Sequence, residues 1–155
     1  MRLKEYFAYG LHIATIIGYF FLLPLLEPPQ ALSFLQYFGI GFFGFGILFV
    51  VLSIASQMQN KKNTIIQKGV YALVRHPMYF GAMCLFIAMI LFLPHWMMLL
   101  LTMINVVVIY RFMVIEESQN LIDFGSEYQV YMKKVPRVNP ILGLIKVIQR
   151  KKRGH

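Results

Sequence analysis

Four long apolar segments dominate this chain and restrict the folds that it can adopt. They cover residues 6–26, 34–55, 78–93 and 96–115. A helix needs about twenty apolar residues to cross the hydrocarbon core of a bilayer, and three of the four segments reach that length. Because lipid offers the backbone no hydrogen-bonding partner, each span must satisfy its polar groups internally, as a helix does. The sequence predicts an all-α integral membrane protein with about four transmembrane helices.

The composition also distinguishes the chain from an ordinary soluble domain. Apolar residues make up 59% of the 155 residues and charged residues only 14%, whereas soluble domains are about 45–50% apolar and 25% charged. The net charge is +9, but Lys and Arg flank the apolar segments, which favours membrane lipids over nucleic acid as partners. The length suits a single membrane domain. It would hold the first two spans in residues 1–60, a central region in 61–140 and a basic amphipathic tail in 141–155.

The basic residues predict the orientation of the spans. Lys and Arg occur before the first segment, between the second and the third, and after the fourth. The other two loops contain Glu27 but no Lys or Arg. Since positive loops stay on the cytoplasmic side, both termini are expected there. The brevity of the chain favours a multi-pass protein of a bacterial inner membrane. After the fourth span, we expect a cytoplasmic C-terminal segment with short helices.

Polar side chains are predicted to meet where the last two spans begin and end. Pro94 and His95 separate these spans and predict a helical hairpin. Positions equidistant from the turn then lie at one depth, which brings residues 75–77 close to residues 111–117. The side chains expected to converge are Arg75, His76, Tyr79, Arg111, Glu116, Glu117 and Asn120. Such groups are costly to place at a membrane edge, so they indicate a functional site.

The chemistry of this set favours a zwitterionic cofactor. The four histidines are scattered in spacings typical of no metal motif, so no metal site is predicted. The single Cys84 lies at mid-membrane depth, away from His76. S-adenosylmethionine carries an amino group, a carboxylate and a sulfonium cation. Glu would bind the first, Arg or His the second, and Tyr the third through cation–π attraction.

Several motifs, taken in order, resemble a known family. They are Gly69-Val70-Tyr71, Arg75-His76-Pro77-Met78-Tyr79-Phe80-Gly81, Arg111, Glu116-Glu117, Phe124-Gly125-Ser126-Glu127-Tyr128-Gln129-Val130-Tyr131 and Val135-Pro136-Arg137. Over roughly residues 69–140, the chain resembles the isoprenylcysteine carboxyl methyltransferase and phospholipid methyltransferase superfamily of integral-membrane enzymes. The resemblance implies methyl transfer from S-adenosylmethionine, bound at the cytoplasmic side, to a lipophilic acceptor that enters from the bilayer.

The resemblance also implies roles for individual residues. The predicted cofactor-binding residues are Arg75, His76, Tyr79, Gly81, Glu116, Glu117 and Asn120. Arg111 matches a position at the acceptor end and, with Glu116, is a candidate catalytic residue. For a carboxylate acceptor such as an isoprenylcysteine, Arg111 would hold the nucleophile. An amine or thiol acceptor would need a base, for which Glu116 or Glu117 would serve. The sequence identifies neither the acceptor nor the oligomeric state.

Two other functions are compatible with parts of the pattern. An NADPH-dependent membrane reductase related to sterol reductases would share the Arg-His-Pro-x-Tyr-x-Gly motif. Such reductases usually carry Asn where this chain has Met78 and an acid where it has Ala82. A non-catalytic lipid-binding protein would use the spans and the basic tail but not the polar set. The text match of Gly39-x-Gly41-x-x-Gly44 to a dinucleotide fingerprint lies inside a span, where we expect close helix packing instead.

Overall fold

The chain folds into helices, as the apolar segments predict. The computed structural model describes residues 3–27, 30–60 and 64–153. Its helices are α1 (Leu3–Leu22), α2 (Leu35–Gln59), α3 (Pro77–Phe92), α4 (Trp96–Lys134) and α5 (Pro140–Arg153), with short 3-10 turns at Gln30–Leu32 and Gly69–Ala72. The all-α prediction is confirmed. So are a helix on either side of the turn at residues 94–95 and a helical C-terminal segment.

Membrane-spanning character is clearest in two helices. Within the described ranges, α2 and α4 are long and apolar enough to cross a bilayer. The apolar parts of α1 and α3, Gly10–Leu22 and Pro77–Phe92, are shorter. Large apolar side chains are exposed along these helices, which is expected where lipid rather than protein covers them. A membrane protein is therefore indicated, and the count of four spans stays a prediction.

The chain divides into two compact units. The first comprises Met1–Gly46 and Met83–Phe112, and the second comprises Ile47–Ala82 and Met113–His155. Helices α2, α3 and α4 each contribute a part to both units. The predicted polar residues other than Arg111 belong to the second unit.

Buried hydrogen bonds join the helices of the first unit. The amide of Asn105, which is fully buried, accepts hydrogen bonds from His12 Nδ1 at 2.6 Å and from Thr15 Oγ1 at 3.0 Å. Tyr19 and Thr102 share a hydrogen bond of 2.7 Å between their hydroxyls. Polar pairs of this kind hold apolar helices together, so His12 has a structural explanation.

The glycines of α2 differ in their surroundings. A Cβ at Gly39 would lie 2.9 Å from the ring of Phe92, so Gly39 allows close contact between α2 and α3. Gly41 and Gly44 have open space where their side chains would be. The expectation of close packing is confirmed at Gly39 and wrong at the other two positions.

In the second unit, α4 continues well beyond the predicted span and breaks at one residue. Gly125 has φ 54° and ψ −127°, a conformation essentially restricted to glycine. After this break, Tyr128 and Tyr131 are both buried, and they pack with Val135 in a small core. Thus the Phe-Gly-x-x-Tyr-x-x-Tyr motif combines a backbone break with the two aromatic residues that follow it.

Candidate functional site

The segment before α3 is held against the segment after α4. The amide of Arg75 donates to the carbonyl of Pro136 at 2.9 Å, and the amide of His76 donates to that of Arg137 at 3.2 Å. Helix α3 then begins at Pro77, a favoured residue at the first helical position because its missing N–H has no helical partner to lose. These contacts place the side chains of Arg75 and His76 beside the C-terminal part of α4.

Four side chains there form a buried ionic cluster around Glu117, which we call the Glu117 cluster. Oε1 of Glu117 accepts from Arg75 Nε at 3.0 Å and Nη2 at 2.7 Å, and from His76 Nε2 at 3.1 Å. Oε2 of Glu117 accepts from Arg137 Nη2, and Arg137 Nε donates to Oε1 at 3.1 Å. The side chain of Glu117 is only 5% exposed. The cluster therefore consists of one buried carboxylate surrounded by three donor groups.

The charge state of Glu117 follows from two opposing effects. Burial by itself raises the pKa of the carboxyl. Hydrogen bonds from His76, Arg137 and Arg75, together with the positive charge of Arg75, outweigh it and lower the pKa well below the usual range. An acid that holds its charge so firmly is a poor proton acceptor near neutral pH. Glu117 is thus better suited to holding this site together than to acting as a base.

Arg75 is largely occupied by the protein itself. Besides its two hydrogen bonds to Glu117, its Nη1 donates to the carbonyls of Met132 and Val135 at 2.7 and 2.8 Å. A guanidinium has five N–H donors, so little capacity remains for a ligand. Arg75 ties the end of α4 to the cluster, and its predicted contact with a cofactor stays a prediction.

A cavity of about 280 Å³ lies beside the cluster. Its lining combines the carboxylate of Glu116 with the amides of Gln57, Asn60 and Asn120 and with the aromatic rings of Tyr71, Phe124, Tyr128 and Tyr131. Unlike its buried neighbour Glu117, Glu116 has a side chain that is 48% exposed. Its Oε2 lies 3.7 Å from Nδ1 of His76, whose other ring nitrogen contacts Glu117. His76 consequently lies between two carboxylates, the buried one of Glu117 and the open one of Glu116.

Hydrogen bonds fix the wall of this cavity. The hydroxyl of Tyr131 donates to the carbonyl of Tyr71 at 2.7 Å, and Gln57 Nε2 donates to the hydroxyl of Tyr71 at 2.8 Å. Burial raises the pKa of Tyr128, while a hydrogen bond with Asn120 opposes that rise. Burial therefore keeps Tyr128 neutral, and the hydrogen bonds hold the side chains of Tyr71 and Tyr131 in place.

The structure brings together most of the residues singled out in the sequence. Arg75, His76 and Glu117 meet in the cluster, and Arg75, Glu116 and Asn120 line the cavity. The ring of Tyr79 lies 5.7 Å from that of His76. Gly81 is buried in α3, in the same unit.

Arg111 lies apart in the chain's division into units, and three residues of the site were not predicted. Arg111 is exposed on α4, five residues before Glu116, and belongs to the first unit. Sequence reasoning missed Arg137 as a member of the cluster, and Tyr71 and Tyr128 as parts of the cavity wall. All three lie within quoted motifs, so the signal was present, but residue order did not show where their side chains would meet.

The comparison with known protein families gives one match. The sequence pattern of the phospholipid methyltransferase family matches residues 34–123, which is more than half of the chain. The chain belongs to the phospholipid methyltransferase family. The superfamily resemblance inferred from the motifs is thereby confirmed. No curated protein and no solved structure matches the chain.

Family membership narrows the function to a coarse class. The protein is a methyltransferase of a membrane-associated family whose members generally use S-adenosylmethionine. The reductase alternative is not favoured by this match. The matched range contains every residue predicted at the site, whereas Tyr128 and Arg137 follow it.

Proposed function

We propose that this phospholipid methyltransferase family member transfers a methyl group from S-adenosylmethionine to a lipophilic acceptor at the cytoplasmic face of the membrane. The observation that carries the proposal is the open carboxylate of Glu116 in a polar and aromatic cavity, within the range that matches the family. A small concave site with a few convergent polar groups is typical of a ligand site.

The cavity lining fits the chemistry of this cofactor. The carboxylate of Glu116 would bind the amino group through charge-assisted hydrogen bonds. The rings of Phe124 and Tyr128 offer faces to a sulfonium cation or a purine. The amides of Asn120 and Gln57 would complete the polar contacts. When bound, S-adenosylmethionine supplies a methyl group that is activated by the positive sulfur.

The protein's own contribution would be alignment. Methyl displacement depends on the relative position of acceptor and methyl group more than on proton transfer. The Glu117 cluster holds His76 close to the carboxylate of Glu116. It thereby fixes the wall of the cavity at which the cofactor would lie. Arg75 and Glu117 would then act as positioning residues. His76, Tyr79, Gly81, Glu116 and Asn120 would lie nearer to the cofactor.

The acceptor determines what Arg111 and Glu116 would do. With a carboxylate acceptor, such as an isoprenylcysteine, the planar fork of Arg111 would orient the nucleophilic oxygens. With an amine or another small lipid-like acceptor, Glu116 would accept the proton that is released. The exposure of Arg111 on an apolar helix is compatible with an acceptor that approaches through lipid.

The proposed orientation places both termini in the cytoplasm of a bacterium, with four spans. The absence of Lys and Arg from the two outer loops supports it. Cysteines introduced at Ala31 and at Asn63, which lies outside the described residues, would be labelled in sealed cells after replacement of the native Cys84. Only the cysteine at Ala31 is expected to react from outside. Reaction at Asn63 would overturn the orientation and the cytoplasmic site.

Cofactor binding tests the proposed activity directly. Calorimetry on the purified protein in detergent should show binding of S-adenosylhomocysteine and none of NADPH. Lipid extracts incubated with methyl-labelled S-adenosylmethionine would then reveal the acceptor by transfer of the label. Binding of NADPH alone would refute the methyltransferase proposal.

A further inference from the structure

Helix α5 leaves an apolar stripe uncovered. Ile141, Leu144, Ile145 and Ile148 follow one helical face at the spacing i, i+3, i+4, i+7, and all four are exposed. Another face packs against the rest of the second unit, because a Cβ at Gly143 would overlap the backbone carbonyl of Leu73. The stripe is therefore not the surface that attaches α5 to the protein.

Beside this helix lies a cleft with a strongly basic lining, which we call the basic cleft. It has a volume of about 190 Å³ and is lined by Lys133, Lys134, Lys146, Gln149 and Arg150. The two lysines of α4 end that helix, and the two basic residues of α5 are one turn apart. None of these described lining residues is acidic. Four cations thus face one small space without a counter-charge in its lining.

The basic cleft keeps donors available for a ligand. Lys146 donates to the carbonyl of Lys133 at 3.3 Å, and Arg150 Nε donates to the carbonyl of Lys146 at 3.0 Å. Each bond uses one donor of a group that has three in an ammonium and five in a guanidinium. The first of these bonds also connects α5 to the end of α4, so it joins the two walls of the cleft.

We propose that the basic cleft binds the phosphate of an anionic phospholipid headgroup while the apolar stripe of α5 inserts between neighbouring acyl chains. A phosphate is the anion whose charge and several acceptor oxygens match four converging cations. An exposed apolar stripe beside basic residues is the pattern of a helix that lies in an anionic bilayer surface. A free phosphate ion or a nucleic acid would leave the stripe exposed to water. The proposal uses no residue of the Glu117 cluster or of the cofactor cavity.

The test is a titration of the full chain in a neutral detergent, followed by thermal unfolding. The ligands are short-chain phosphatidylglycerol, its deacylated headgroup, inorganic phosphate and short-chain phosphatidylcholine. Phosphatidylglycerol is expected to bind tightest and to raise the unfolding temperature. Its binding should weaken as added salt screens the charges. Equal binding of inorganic phosphate would overturn the assignment to a lipid, and equal binding of phosphatidylcholine would overturn the need for an anionic headgroup.

Two double variants test the basic cleft from its two walls. Lys146→Gln with Arg150→Gln removes the charges of α5, and Lys133→Gln with Lys134→Gln removes those of α4. Each should weaken the binding of phosphatidylglycerol by about tenfold or more, since each Lys or Arg beside an anionic headgroup contributes roughly a fivefold factor in affinity and each variant removes two.

A matched control separates a defined site from diffuse attraction. Lys151→Gln with Lys152→Gln removes the same charge from the same helix outside the basic cleft. The affinity of this control for phosphatidylglycerol should fall by less than about twofold, because diffuse attraction at a surface is screened and shared among many charges. Equal losses in the control and in both cleft variants would refute the site. Binding of S-adenosylhomocysteine should remain unchanged in all three proteins, which keeps this test separate from that of the methyltransferase activity.

Discussion

Two nitrogens of Arg75, Nε and Nη2, converge on a single oxygen of Glu117, at 3.0 and 2.7 Å. This pair joins residues 42 positions apart and links the start of α3 to α4. The adjacent acid Glu116 points elsewhere, because successive helical residues are rotated by about 100°. It lines the cavity with a half-exposed side chain. The Glu-Glu pair therefore divides into a structural acid and a candidate functional acid.

Glu117→Gln should destabilise the protein strongly. The change leaves Arg75, whose side chain is 9% exposed, without its counter-charge and replaces the carboxylate that the buried His76 contacts. Breaking a buried ion pair from one side costs about 3–5 kcal/mol. Thermal unfolding in detergent measures the effect, and Glu116→Gln serves as the neighbouring control. A midpoint for Glu117→Gln equal to that of the control would contradict the structural role.

The lowered pKa of Glu117 predicts that the protein loses stability at acid pH. The pKa of Glu117 is lower in the folded protein than its ordinary value of 4.5, which applies when the chain is unfolded. The contribution of Glu117 to the free energy of unfolding is therefore complete above pH 4.5. It is lost as the pH falls from that value toward the lower pKa of the folded state. The unfolding midpoint of the wild type should drop in this acid range, and that of Glu117→Gln should drop less. Parallel curves for the two proteins would show that other groups cause this loss of stability.

Glu116→Gln should weaken cofactor binding without affecting stability. Its carboxylate is half-exposed and lines the cavity, so the loss of its charge removes a ligand contact rather than a core interaction. S-adenosylhomocysteine should bind roughly ten- to a hundredfold more weakly by calorimetry. Asp123→Asn on the same helix is the matched control, because Asp123 is exposed and does not line this cavity. Unchanged affinity in Glu116→Gln would remove Glu116 from the site. His76→Ala is a less specific probe, since a buried ring in the cluster would be lost.

Arg111→Lys should separate anchoring from acceptor alignment. An arginine that only reaches toward the lipid headgroups tolerates lysine, because charge and length suffice. An arginine that orients an anionic acceptor through its planar fork does not. We expect normal expression and normal S-adenosylhomocysteine affinity but the loss of most methyl transfer, measured with labelled cofactor once the acceptor is known. Wild-type turnover would return Arg111 to a purely anchoring role and weaken the case for a carboxylate acceptor.

The hairpin shows how far local pattern predicts tertiary contact. Pro94 and His95 mark a turn in the sequence, and equal distances from that turn place Arg75 near the end of the predicted span. The hydrogen bonds between Arg75 and Glu117 confirm that convergence. For Arg111, which is exposed and belongs to the first unit, the convergence stays a prediction, because depth along a helix does not say which face a side chain occupies.

The sequence by itself determined the helices, the class of membrane protein and the family, because these depend on apolar length, on turn residues and on motif order. Only the tertiary structure decided that Glu117 is buried and Glu116 open, that Arg137 completes the cluster, and that Lys133 faces Lys146 across the basic cleft. Each of these depends on the rotation of a helix about its axis or on the meeting of segments far apart in the chain. Packing fixes both, and the hydrophobic pattern of a single segment does not.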